Sequence, residues 1–293
     1  MAFPDWPLSN GSLNPDGWLT NFFMLLEHGH RLTAGLVATL VTLLFGWVLR
    51  RRNSLPRAAF WLALGALVGV FAQAVLGGLR VVLDPQGIAA TTGAIATTFR
   101  VLHACVAQVE LCLVVALAAV LSPAWRKLVA TAHFRKIARL GWITTGIVFL
   151  QLIVGATMRH LGAGLAIPTF PRTPDGGFMP KVHNAFVDLN FTHTRFGAAL
   201  VSVFVLWLAL RTAWLASGEA LLRPALLLLT LLAAQLALGM FVIWNLRPPI
   251  LTTLHVVNGA ALLATTVWLT VRASRGLAKN AVTPRTHLEE VAA

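Results

Sequence analysis

Charged residues make up only 11% of this sequence, acidic residues number 10 against 23 basic ones, and tyrosine is absent. A chain with so few charges cannot cover a surface that faces water, and 57% of its residues are hydrophobic. The composition therefore excludes an ordinary water-soluble protein and indicates an integral membrane protein. Ten tryptophans are enough to form aromatic belts at the two membrane interfaces without tyrosine.

Cysteine occurs only twice, at Cys105 and Cys112, seven residues apart and hence on roughly one face of a helix. Free cysteine packs as a small hydrophobic residue, so we expect both to fill space between helices. Neither lies in a loop that faces an oxidising compartment, and no disulfide is predicted. The first seven residues have no basic stretch and no apolar core, so no cleavable signal peptide is predicted.

Seven apolar stretches are long enough to cross the roughly 30 Å hydrocarbon core of a bilayer, which takes about 20 helical residues each. They cover residues 24–49, 58–80, 98–121, 138–158, 192–215, 221–245 and 251–272. Transmembrane strands are not expected, because the short alternating segments of a barrel are missing from the sequence. The predicted fold class is an all-α, polytopic membrane helical bundle of seven transmembrane helices.

Basic residues cluster in the loops after the first and third stretches and after the last one. These clusters are Arg50, Arg51, Arg52 and Arg57; Arg126, Lys127, Arg135, Lys136 and Arg139; and Arg272, Arg275, Lys279 and Arg285. Because basic loops stay on the cytoplasmic side, we expect the C-terminus inside and the N-terminus outside a bacterial cytoplasmic membrane. The net charge of +13 then reflects topology and contact with anionic lipid, not nucleic-acid binding.

An internal repeat divides the chain. Ala2-Phe-Pro-Asp-Trp-Pro7 recurs as Ala166-Ile-Pro-Thr-Phe-Pro171, Gln73-Ala-Val-Leu-Gly77 as Gln235-Leu-Ala-Leu-Gly239, and Leu102-His103 as Leu254-His255. The repeat predicts an N-terminal half-bundle over 1–137, a C-terminal half-bundle over 138–275 and a cytoplasmic tail over 276–293. The loop from 84 to 98 is expected to be longer than its counterpart at 247–250. Paired sites should follow from paired halves.

Four histidines occupy equivalent places near the start of apolar stretches that run in the same direction: His30, His103, His193 and His255. A lone histidine in a span can serve simply as a hydrogen-bond partner between helices. Four histidines at the same depth in the membrane favour two bis-histidine haem sites. In these sites His30 pairs with His103, and His193 pairs with His255. A copper or zinc site is the alternative, although carboxylate or thiolate ligands in tighter clusters would then be expected.

One half carries an extra acid. Glu27 lies three residues before His30 on the same helical face, whereas Asn190 holds the equivalent place before His193. A carboxylate beside one pair only marks the N-terminal half as the reactive one, with Glu27 as a catalytic proton acceptor. The alternative is that Glu27 pairs with Arg31 or His28. Arg31 and Arg195 follow their histidines and can bind haem propionates or extend towards the interface.

Together these motifs resemble the haem A synthase family. They are Pro4-Asp-Trp-Pro7, Glu27-x-x-His30-Arg31, Leu102-His103, Gly155-x-x-x-Arg159-x-x-Gly-Ala-Gly-Leu165 and Leu254-His255, in order over residues 2–272. The resemblance implies an oxidoreductase that converts a methyl group of haem O to a formyl group through hydroxylated intermediates. It assigns haem b to His193 and His255, and the substrate haem O to His30, His103 and Glu27. Its implied partners are a haem O synthase and a terminal oxidase whose assembly it serves.

Two departures from the family pattern stand out. Members of the family usually have eight spans, and the helix expected before Ala2 is the missing one, through a start codon assigned too late or a shortened protein. Many relatives also carry a cysteine pair at the first loop, where this chain has Phe3 and Ser9. No thiol chemistry is expected at that loop.

Two other functions use the same sequence features. A non-catalytic dihaem b electron-transfer protein needs the four histidines but not Glu27. A transporter or sensor built on inverted repeats fits less well, because these repeats share one orientation. The sequence leaves the oligomeric state open, with a homo-oligomer as one option.

Overall fold

The computed structural model describes residues 2–83, 89–128, 132–215 and 219–277. Seven of its helices are long and apolar enough to span a membrane. They are α1 (Phe22–Arg50), α2 (Arg57–Leu83), α3 (Gly93–Leu121), α4 (Ala132–His160), α5 (Ala185–Leu215), α6 (Glu219–Trp244) and α7 (Pro249–Ala273). The predicted helical membrane bundle is thereby confirmed. The tail from 278 onward and the loop residues 84–88 lie outside the described residues.

Helix ends differ from the predicted ones where a polar side chain starts the helix early. The Oδ1 atom of Asn184 accepts hydrogen bonds from the backbone N–H groups of Phe186 and Val187, both at 3.0 Å. This N-cap satisfies amide groups that have no intrahelical partner, so α5 begins seven residues before the predicted 192. The expected loop up to residue 98 is also too long, because the chain is helical from residue 89 onward, with a kink at Gly93, whose φ of 80° favours glycine.

The buried apolar core lies at one end of the bundle. It takes residues from the C-terminal ends of α1, α3, α5 and α7 and from the N-terminal ends of α2, α4 and α6. Among them are Val48, Ala59, Leu117, Ile137, Leu208, Leu221 and Leu269. This pattern requires successive helices to run in opposite directions. The four histidines of the repeat lie near the N-terminal ends of α1, α3, α5 and α7, and therefore at the opposite end, called here the histidine end.

The helices connect the two halves through α3. This helix packs against α2 of its own half and also against α4 and α7. In the C-terminal half, α4 and α6 both pack against α5 and α7. One wall of the C-terminal half is thus formed by the same helix that carries His103.

Candidate haem-binding sites

The structure brings the four histidines together in two pairs. The ring centroids of His193 and His255 lie 6.3 Å apart with an angle of 79° between the planes. The corresponding values for His30 and His103 are 6.4 Å and 82°. His193 lies in a π-helical turn of α5, Thr192–Gly197, a local widening of the helix that is frequent at functional sites. The pairing is the one expected from the repeat.

The gap between the paired rings has the size of a metal-bridged pair. A metal–imidazole bond is about 2.0–2.1 Å and the ring centre lies about 1.1 Å beyond its nitrogen, so two rings on opposite sides of one ion have centroids about 6.2 Å apart. Both measured separations agree with that value. In the described part of the chain, no group of three or more His, Cys, Asp or Glu side chains could hold a metal ion. Two ligands per site fit haem, whose macrocycle supplies the remaining four, better than a bare copper or zinc ion.

Glycines make room for three of the rings. A Cβ atom added at Gly155 would come within 2.6 Å of Cε1 of His193, one at Gly77 within 3.1 Å of Cε1 of His103, and one at Gly239 within 3.2 Å of Cε1 of His255. The repeated Gln-x-x-x-Gly motif of α2 and α6 therefore has a structural purpose. Its glycine faces the second histidine of each half.

The glutamines contact the same histidines. Gln73 donates to the backbone oxygen of His103 at 2.7 Å, and Gln151 does so to that of His193 at 2.8 Å. Gln235 places its amide nitrogen 3.3 Å from Nε2 of His255. The Nδ1 atoms of the three rings at His103, His193 and His255 are buried and have no hydrogen-bond partner among the described residues. Each of these rings therefore has one nitrogen that no protein group in the described chain holds.

A cavity of about 420 Å³ lies beside His193 and His255. This volume is within the usual range for a cofactor pocket, and the lining is mostly apolar. Its cationic residues are Arg159 and Arg247, which suit the carboxylates of a ligand such as haem. On the far side the cavity reaches Ala104 and Cys105 of α3. The cavity therefore adjoins the residues that follow His103.

Two of these lining residues are not among the candidate site residues that the sequence indicated. His160 is the last residue of α4 and lines the cavity. Arg247 drew no prediction, and it reaches the cavity because the turn between α6 and α7 holds Leu246 and Arg247 at φ values of 57° and 64°. A non-glycine residue in this left-handed region gives no clear sequence signal.

Glu27 joins the N-terminal segment to α1. It accepts a hydrogen bond from the backbone N–H of Ala2 at 2.6 Å and forms an ion pair with Arg31 at 2.9 Å. The alternative pairing with Arg31 is therefore present, whereas His28 contacts Ser9 instead, at 3.1 Å. His30 is exposed and His103 half-buried in the described part. The N-terminal pair is more open than the C-terminal pair.

Arg31 and Arg195 hold equivalent loops. Arg31 donates to the backbone oxygens of Asp5 and Leu8, at 2.9 and 2.5 Å. Arg195 donates to the backbone oxygen of Thr169 at 2.8 Å. These contacts explain why the arginine follows the histidine in both halves. Propionate binding by either residue stays a prediction.

Asn190 holds in the C-terminal half the place that Glu27 holds in the other, but its contact is different. It is fully buried and donates to the backbone oxygen of Ala163 at 2.9 Å, whereas Glu27 accepts from the backbone N–H of Ala2. The two residues are thus equivalent in position. Their difference is chemical, since only Glu27 can take up a proton.

The Pro-Asp-Trp-Pro loop owes its shape to Asp5. The carboxylate accepts hydrogen bonds from the N–H groups of Asn10 and Gly11, each at 2.8 Å. Slight desolvation acts to raise the pKa of this carboxyl, but the backbone donors outweigh it and leave the pKa below its usual value.

The two cysteines of α3, Cys105 and Cys112, are free and half-buried.

A family model described as cytochrome oxidase assembly protein matches residues 2–267, and the chain belongs to that family. The chain is similar to proteins named heme A synthase. That of Symbiobacterium thermophilum is 32% identical over 236 residues, 80% of this chain and 73% of that protein. The resemblance expected from the motifs is thereby confirmed.

More distant relatives cover less of the chain. The heme A synthase of Bacillus pumilus is 26% identical over 68% of this chain and 61% of its own length. Heme A synthase COX15 of Bos taurus is 29% identical over 49% of this chain and 37% of its own length. The chain thus spans between about a third and three quarters of the lengths of these three relatives.

Proposed function

We propose that this chain oxidises a methyl group of haem O to the formyl group of haem A through hydroxylated intermediates. In this proposal His30 and His103 hold the substrate haem, and His193 and His255 hold a resident haem b. The observation that carries it is the contrast between two histidine pairs of equal geometry, of which one has an acid, Glu27, and the other an amide, Asn190.

The difference in exposure supports the same assignment. A resident cofactor needs a formed pocket, as beside His193 and His255, whereas a substrate must enter and leave. The exposed His30 suits the exchanging site. A haem held by two imidazoles supplies one-electron redox chemistry without an open coordination position.

Glu27 has a defined task in this proposal. Conversion of a methyl to a formyl group, with the oxygen counted as water, releases four electrons to an acceptor and four protons, so the site needs a proton acceptor. Glu27 lies one helical turn from His30, and its contacts with Arg31 and the Ala2 N–H fix the carboxylate in place. His30 and His103 fix the position of the substrate.

The proposal also names location and partners. In this proposal the C-terminus is cytoplasmic and the histidine end lies at the outer face of the membrane, because basic loops tend to stay on the cytoplasmic side. A haem O synthase supplies the substrate and a terminal oxidase receives the product.

A dihaem electron carrier is the second candidate. The near-identical centroid separations of 6.4 and 6.3 Å favour it, because two equal pairs suit two permanent haems. In that case the acid beside His30 would have no chemical task.

Co-expression with a haem O synthase in a host without its own haem A pathway tests the proposal. Extracted haems are separated by chromatography, with an empty vector as the control. We expect haem A or its hydroxylated precursor only when the chain is present. Haem B alone on the purified protein would support the electron carrier.

A further inference from the structure

A second acid is buried in the N-terminal half. Glu110 lies in α3 with 8% of its surface exposed, and both of its carboxyl oxygens are buried without a hydrogen-bond partner in the described structure. Gly69 of α2 faces it so closely that an added Cβ would collide with the carboxyl group. Acids inside a membrane span are costly and rare, and they usually have a function.

The surroundings of Glu110 offer no counter-charge. Val70 of α2 belongs to a small apolar cluster with Val41 of α1, and Leu113 of α3 packs against that cluster. None of the ion pairs in the described residues involves Glu110. An isolated carboxylate is unstable in such surroundings, so the neutral acid is the favoured form when no positive charge develops nearby.

Glu110 shares a helix seam with His103. Along the contact between α2 and α3, Gly77 faces His103, Gln73 donates to the His103 backbone oxygen, and Gly69 faces Glu110. Glu110 follows His103 by seven residues, two helical turns or about 10 Å along α3. The Oε1 atom of Gln73 is also buried without a partner in the described chain. Unsatisfied polar groups thus follow one line from the histidine into the membrane.

The C-terminal half lacks this acid. The repeat aligns His103 with His255, so the equivalent of Glu110 is Leu262, which is buried with 2% exposure. Gly69 corresponds in the same way to Leu231. Together with Glu27 and Asn190, this is a second place at which only the N-terminal half can bind a proton.

We propose that Glu110 exchanges a proton with its surroundings when the charge of the haem held by His30 and His103 changes. When the iron passes from ferrous to ferric and gives one electron to an oxidant, Glu110 releases one proton to bulk water, and its carboxylate balances the added positive charge. On reduction the carboxylate takes one proton back from water. Glu110 acts on the haem through its charge and not through direct contact. The inference rests on the proposed function, since it requires a haem at the N-terminal pair.

Redox-induced infrared difference spectroscopy on the haem-loaded full chain tests this coupling. Ferricyanide and dithionite serve as the oxidant and reductant. We expect a carboxylic-acid carbonyl band that changes between the two states and shifts in D₂O. The band should be absent in Glu110→Gln and also in His30→Ala, which retains Glu110 but lacks the N-terminal haem. It should remain in His193→Ala, which loses only the other haem.

The variants Glu110→Gln and Glu110→Met remove the acid without breaking a hydrogen bond, because Glu110 has none. In cells that make haem O we expect a tenfold or larger fall in haem A with unchanged haem content. The inference is contradicted if the carboxylic-acid band persists in Glu110→Gln, or if the haem-loaded wild type shows no such band. Either result leaves the proposed function intact. If no haem loads at the N-terminal pair, both proposals are wrong.

Discussion

Replacing Glu27 with glutamine is expected to reduce haem A formation by about 100-fold or more while both haem sites remain filled, because a positioned proton acceptor contributes that much to a rate. Glutamine keeps an oxygen that can accept the Ala2 N–H bond, so the N-terminal segment stays in place. Haem A is measured by extraction, and haem content by absorbance of the purified variant.

Arg31→Gln is the matched control for Glu27. It removes the ion pair with Glu27 and the contacts to the Asp5 and Leu8 backbone oxygens, but it removes no acid. If Glu27 only anchors the loop, Glu27→Gln should be nearly silent, whereas Arg31→Gln should lower haem A strongly and expose residues 2–12 to protease. That outcome would contradict a catalytic Glu27.

The second large effect is expected at Gly155. An alanine there places Cβ within 2.6 Å of the His193 ring, so the ring must move away from its position opposite His255. Groups that orient a metal ligand typically change metal affinity by about 10- to 100-fold, and we expect a loss of C-terminal haem of that size. The fold should survive, because the far end of a side chain can move without moving the backbone.

Gly146→Ala is the control for Gly155→Ala. Both glycines lie in α4, but an added Cβ at Gly146 meets nothing within 4 Å. The two variants therefore share any change in helix propensity and differ only in contact with His193. Equal haem content in both, measured by the reduced-minus-oxidised absorbance, would show that His193 tolerates the displacement.

The sequence predicted much of this arrangement because its main signals are local. Apolar stretches of 20 or more residues identify spanning helices directly. The position of His103 or His255 near the start of a span indicates how deep that histidine lies in the membrane. Direction alternates along the chain, so histidines on every second helix must meet at one end. The pairing within each half followed from the internal repeat and from the shared direction of these helices.

Other features depend on contacts between distant residues. Gly155 is part of a recognisable motif, yet only the packing of α4 on α5 shows that its missing Cβ makes room for His193. Glu110 reads as one polar residue in an apolar stretch until α2 places Gly69 against it. Arg247 enters the cavity through a left-handed turn that its residue type does not favour. The early start of α5 comes from the cap at Asn184.

The central claim is a division of labour, with the exchanging haem at His30 and His103 and the resident haem at His193 and His255. Its most direct test is the identity of the haem extracted from two double variants, His30→Ala with His103→Ala and His193→Ala with His255→Ala, purified from cells that make haem O. We predict that the first keeps haem B and lacks haem O and haem A, and that the second lacks haem B and keeps haem O. Haem O retained by the first variant, or both haems lost equally from each, would contradict the account.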